Sequence, residues 1–84
     1  MKPAIYQEAG GRWNVEVLSD IDEQRDGVVT RVVKMRVLGA IGAPRLGLKL
    51  RRGVEFEATC CRGYESYVGW SLEYVDDDDG GEAA

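Results

Sequence analysis

An all-β fold, built as a small five-stranded antiparallel barrel or rolled sheet, is the class this sequence predicts for residues 1–75. Apolar residues recur at every second position in several short stretches, the period of a half-buried strand. Glycine, proline and aspartate fall between those stretches, where turns need them. No segment carries a helical period long enough to cover a sheet, so the strands must bury their apolar faces against one another.

Residues 12–18 alternate plainly, with Trp13, Val15 and Val17 on one side and Arg12, Asn14 and Glu16 on the other. Ser19 to Asp26 is polar, begins with a serine able to cap a turn ahead of Asp22 and Glu23, and ends on Asp26-Gly27. It reads as a loop holding one helical turn. From Val28 to Leu38 β-branched residues dominate, but Val28, Thr30 and Val32 share one parity while Val33, Met35 and Val37 share the other. A β-bulge near Val32 and Val33 would reconcile the two sets and bend the strand. Gly39 to Arg45, with two glycines and Pro44, reads as an irregular connection.

Next, Leu46, Leu48 and Leu50 share a face, as do Val54, Phe56, Ala58 and Cys60. A two-residue loop would set apolar against charged side chains along the whole hairpin, because a one-residue slip moves every side chain to the other face. A three-residue loop, Arg51-Arg52-Gly53, pairs Leu50 with Val54, Leu48 with Phe56 and Leu46 with Ala58, and sets Lys49 against Glu55 outside. Gly53 then takes the left-handed position, where glycine costs least. Cys61 to Ser66 forms a loop, and the last strand spans 67–75 with Val68, Trp70, Leu72 and Tyr74 on one face. Residues 76–84, Asp76-Asp77-Asp78-Asp79-Gly80-Gly81-Glu82-Ala83-Ala84, hold no side chain large and apolar enough to anchor them, so a disordered acidic tail is expected.

In size the expected domain is SH3-like or OB-like. The run Leu48, Leu50, Gly53, Phe56 followed by Trp70 resembles the diverging turn and following strands of SH3-like barrels, over roughly 30 of the 84 residues. The acidic loop and aromatic set with which those domains hold peptides are not visible in residues 1–38, so the resemblance transfers no binding residue.

Composition narrows the function. Hydrophobic residues make up 44% and charged residues 31%, enough apolar surface for a folded body. The start Met1-Lys2-Pro3-Ala4 lacks the apolar core of a secretion signal, no stretch is long and apolar enough to span a membrane, and a cytoplasmic protein is expected. Adjacent Cys60 and Cys61 point to opposite faces of a strand and cannot form an ordinary disulfide; one buried and one exposed thiol is the expected arrangement. Histidine is absent, which removes the commonest general base and metal ligand. Glu55 and Glu57 fall on an outer strand face, Cys60-Cys61 lacks a second pair for zinc, and the four aspartates do not reproduce a calcium loop. No catalytic residue, metal or cofactor is therefore expected.

The net charge of -4 hides three regions: two basic and five acidic side chains in residues 1–24, nine and three in 25–62, and seven acidic side chains alone in 63–84. Three readings follow. A non-enzymatic protein-interaction module, such as a small inhibitor or adaptor, would act by surface contact, with Tyr64, Tyr67, Arg51 and Arg52 on loops as contacts, since Tyr and Arg are enriched at binding hot spots. A nucleic-acid-binding small β-barrel would use Arg31, Lys34, Arg36, Lys49, Arg51, Arg52 and Arg62, with Tyr64 and Tyr67 to stack on bases. A structural subunit of a larger assembly, including a homo-oligomer, would show itself as a defined oligomer on sizing, whereas the sheet edges belong to the first reading as groups a partner can extend.

Overall fold

Asp26 and Gly27 both take left-handed backbone angles, φ 52° and 78°. Two such residues in succession make the tight turn whose twist matches a two-stranded ribbon. That turn joins the two longest strands, β2 (Gly11–Arg25) and β3 (Val28–Ile41). In the computed structural model, which describes residues 2–8, 10–42 and 50–75, β1 (Lys2–Glu8), β4 (Glu55–Cys61) and β5 (Trp70–Tyr74) complete one antiparallel sheet in the order β4-β3-β2-β1-β5. A single 3-10 turn, Glu65–Tyr67, precedes β5. Among the described residues no helix is long and apolar enough to cross a membrane.

Five antiparallel strands are present, with β1 not among those the pattern predicts, and the barrel alternative is corrected: β4 and β5 are not paired with each other. The reason is directional. β4 is antiparallel to β3 and β5 to β1, so both run the same way as β2. A closing ladder would be the sheet's one parallel pair, which short connections do not build.

The strands themselves also differ from expectation. Ser19 to Arg25 is not a loop with a helical turn but the second half of β2, paired residue by residue with Lys34 down to Val28. Its polar side chains disguised it: Asp20 and Asp22 sit on the concave face and are matched there by Arg31 and Arg62. Sheet pairing thus overrides a composition poor in strand formers. β1 carries only two buried inward residues, Ala4 and Tyr6, too few to announce a strand by alternation. No bulge lies at Val32 and Val33. They pair in sequence, Val32 with Ile21 and Thr59, Val33 with Asp20 and Ala58, and the two are buried on opposite faces, Val33 in the core and Val32 on the convex side. On the convex side Arg25 bonds Glu23 of β2 and Glu57 of β4, crossing β3 beside Val32. The bulges fall at Leu18 and Leu38, each an extra residue without a direct partner, and these bend the ribbon.

Bending gathers one core on the concave face. Trp13, Val15 and Val17 of β2 meet Val33, Met35 and Val37 of β3, with Ala4 and Tyr6 from β1 and Ala58 from β4. Leu50, Val54, Phe56, Trp70 and Leu72 close over the margin. The turn expected at Arg51-Arg52-Gly53 is present: Gly53 has φ 91°, and Val54 N–H donates to the Arg51 carbonyl at 3.0 Å. Leu50 packs against the core outside any strand. The hairpin partners Leu46, Leu48 and Lys49, and the tail at 76–84, lie outside the described residues.

Gly11 shows how tightly the core is filled. A Cβ built there would sit 2.4 Å from the Trp13 indole, and Trp13 is only 1% exposed. Gly11→Ala is expected to destabilise the fold by about 1–3 kcal/mol, the usual cost of overpacking. Gly39→Ala, with nothing within 4 Å of its added Cβ, should stay within about 0.5 kcal/mol of the parent. Urea denaturation of both variants checks the contrast.

Candidate functional site

Two edges of one sheet face each other across a seam. Which backbone groups of β4 are spent on β3 is fixed at both ends: Val37 N–H donates to the Val54 carbonyl at 2.8 Å, and Arg62 N–H to the Val29 carbonyl at 3.0 Å. Even-numbered residues therefore turn their backbone toward β3, and Glu55, Glu57, Thr59 and Cys61 turn theirs outward. On β5, Val75 N–H donates to the Pro3 carbonyl at 3.0 Å, which leaves Trp70, Leu72 and Tyr74 with outward backbone groups.

One side chain bridges this seam where backbone cannot. The Trp70 indole N–H donates to the outward carbonyl of Thr59 at 2.9 Å. Beneath it lies Tyr6, stacked 5.9 Å from Trp70 at 30° and edge-on to Phe56 at 5.0 Å and 71°. Three aromatic rings from β1, β4 and β5 thus form a floor with the favoured offset and edge geometries. The groove above them has a volume of about 420 Å³ and runs past Leu50, Phe56, Ala58, Val68 and Trp70. A second hollow of about 310 Å³ shares Glu8 and Trp70 with it and continues to Glu65 and Ser66. Among the described residues the charged residues lining the two hollows are Glu8 and Glu65, with Glu57 at the edge turning its carboxylate to the convex face.

Glu8 is held in place from below. The Tyr6 hydroxyl donates to its carboxylate, and Tyr6 itself is 3% exposed. Burial, reinforced by the hydrogen bond to Glu8 and its charge, pushes the phenol well above its ordinary pKa and keeps it protonated as a donor.

At the far end of the concave face sits a cluster of fixed charges. Arg31 grips Asp20 with both ends of its guanidinium, Nε to Oδ1 at 2.8 Å and Nη2 to Oδ2 at 2.6 Å, and the Tyr74 hydroxyl donates to Oδ2 at 2.6 Å. This bidentate fork is the strong form of a charged hydrogen bond. Arg31 lowers the Asp20 carboxyl to about 2, with a smaller push from Tyr74, against the opposing effect of burial. Since Tyr74 belongs to β5 and Asp20 to β2, the contact also spans β1 and holds the roll. Arg62 bonds Asp22 at 2.9 Å and approaches Glu65 at 3.9 Å.

The residues singled out from sequence fall on this frame unevenly. Arg51 and Arg52 occupy the turn before β4 and Tyr64 and Tyr67 the segment after it. They bracket the β4 edge about 20 Å apart rather than forming one patch. Tyr64 and Tyr67 stand together, ring centres 6.3 Å apart and both exposed. Of the basic set, Arg31, Arg36 and Arg62 are engaged with carboxylates: Arg36 bonds Glu16 at 3.0 Å and Glu55 at 2.9 Å. Lys34 is exposed and pairs across the strands with Glu57, while Lys49 lies outside the described residues. Phe56 and Trp70 read as core by alternation, and Tyr6 and Glu8 lie in β1, which the pattern does not announce; neither signal says which strands become edges. Compared with known proteins, the chain matches no family model, no curated protein and no solved structure.

Two outcomes are expected of this chemistry. Cys60 is buried, with its thiol pKa raised chiefly by that burial, and Cys61 is exposed; a thiol reagent should label Cys61 alone in the folded protein and both after denaturation, as mass spectrometry reads directly. Asp20 binds its proton near pH 2 when folded and about pH 4 when unfolded. The unfolded state therefore takes up the proton first, and the stability Asp20 contributes is complete above about pH 4 and lost as pH falls to about 2. The stability difference between the parent and Asp20→Asn, followed by denaturation at stepped pH, should be constant above that window and shrink through it.

Proposed function

We propose that this chain is a non-enzymatic protein-interaction module, of the size of a small inhibitor or adaptor, that takes a strand-like segment of a partner protein along the β4 edge. One observation carries the reading: Glu55 and Glu57 present their backbone N–H and C=O groups away from β3, beside an aromatic-floored groove. An edge whose outward groups meet no partner among the described residues is the surface on which strand addition operates, backbone giving affinity and the groove giving selectivity. Tyr64 and Tyr67 at one end, and Arg51 and Arg52 at the other, extend the contact beyond the edge itself. The absence of histidine removes the commonest general base and so favours surface contact as the mode of action. Two free thiols that point apart suit a reducing cytoplasm.

Nucleic-acid binding through residues 31–62 is the competing reading. Against it, Arg31, Arg36 and Arg62 are already matched by carboxylates. A variant separates the two. Glu57→Pro removes one outward N–H without touching the ladder to β3, a position at which edge strands tolerate proline. Affinity capture from the native host with the tagged full chain, after nuclease treatment, is expected to retain a protein partner on the parent and lose it on Glu57→Pro, with the near-ultraviolet circular dichroism of the variant unchanged. Material lost to nuclease alone, or retained equally by the variant, would overturn the reading.

A further inference from the structure

Charge on the convex face is arranged in rows that follow the strands. Along one line of side chains β2 presents Glu16, β3 presents Arg36 and β4 presents Glu55, joined by ion pairs of 3.0 Å and 2.9 Å. In the next line Lys34 of β3 stands opposite Glu57 of β4. Acidic, basic, acidic: the series stops at β4 with carboxylates that each keep an exposed side, Glu55 (56% exposed) against Arg36 at 2.9 Å and Glu57 (37% exposed) against Arg25 at 3.5 Å. On the concave side the same edge presents Phe56 and Ala58, with Trp70 and Tyr6 across the groove and Glu8 at its mouth.

We infer that the partner segment is an extended stretch alternating lysine or arginine with apolar residues, and that it continues the charge series as the next row beyond β4. This deepens the reading proposed above and rests on it. A strand added to β4 must send successive side chains to opposite faces. Those facing out stand beside Glu55 and Glu57, where cationic side chains form the favoured cross-strand pairs and acidic ones are repelled. Those facing in lie over Phe56 and the Tyr6–Trp70 stack, where only apolar side chains avoid an uncompensated desolvation. Glu8, fixed by the Tyr6 hydroxyl, and Glu65 extend the acidic preference toward the Trp70 end. The indole bound to Thr59 marks the limit of the ladder, since that carbonyl is already taken.

The test uses the full chain with two probes, a short synthetic peptide alternating lysine with valine and its glutamate-for-lysine counterpart, followed by fluorescence anisotropy and by amide exchange at Glu55 and Glu57. The lysine peptide is expected to bind, to slow exchange of those two amides, and to weaken as salt is raised. The double variant Glu55→Gln with Glu57→Gln, which keeps side-chain shape, should weaken it about fivefold. The glutamate peptide should not bind. Equal binding of both peptides at the seam would overturn the basic-partner inference while leaving strand addition intact. Binding of neither overturns the inference as well, and the Glu57→Pro capture then judges the broader reading alone. Amides of Glu55 and Glu57 already protected in the protein by itself would overturn both, because the edge would then be filled.

Discussion

β4 and β5 run in the same direction, and most of what is distinctive about this molecule follows from that. Each strand is antiparallel to its neighbour, and five is an odd number, so the two edges meet with parallel sense when the sheet rolls up. Backbone closure would need a parallel ladder, and the chain supplies a side chain instead: Trp70 reaches from β5 to the carbonyl of Thr59. One indole N–H spans what a ladder would have sealed. The result is a fold with a packed concave core and a slot along one side, floored by aromatic rings and flanked by backbone groups that meet no partner among the described residues.

The bend that brings those edges together has two supports. Bulges at Leu18 and Leu38 turn the β2–β3 ribbon, and long-range side-chain contacts hold the turned state. Tyr6 touches Phe56 with two strands of the sheet between them, and Tyr74 reaches over β1 to Asp20. The Asp20 carboxylate is therefore bound from β3 by Arg31 and from β5 by Tyr74, joining three strands at one atom pair. Exposed ion pairs contribute little to stability singly, about 0–1 kcal/mol, but the bidentate Arg31–Asp20 fork is partly shielded and geometrically specific. Its main effect is to select this roll over a flatter sheet.

Charge pairing also changes what the basic middle of the chain means. In sequence, residues 25–62 carry nine cations against three anions, which suggests an anion-binding surface. In the fold, Arg31 and Arg62 meet Asp20 and Asp22 from β2, and Arg36 lies between Glu16 and Glu55. The anions that match the middle segment come largely from the first third of the chain, brought alongside by antiparallel pairing. Local charge density in sequence was a poor guide to which cations stay unmatched, because β2 sets Glu16 and Asp20 beside Arg36 and Arg31 of β3.

Period-two alternation was enough to place Trp13, Val15 and Val17 inward, to set Trp70 and Leu72 on one face of the last strand, and to foresee an all-β antiparallel fold. Asp26-Gly27 and Gly53 marked real turns, because left-handed backbone angles leave a clear residue signature. Alternation works at this level since side-chain direction in a strand is set by the backbone alone. It could not show that Ser19 to Arg25 is strand, because the partners that satisfy Asp20 and Asp22 are Arg31 and Arg62, distant in sequence. Nor could it show β1, with two buried residues, or Val32 and Val33 buried on opposite faces. Which strands become edges, and so where backbone groups stay unspent beside Glu8, Phe56 and Trp70, depends on strand order. Strand order is decided by pairing between segments far apart in the chain, and only the tertiary structure contains it.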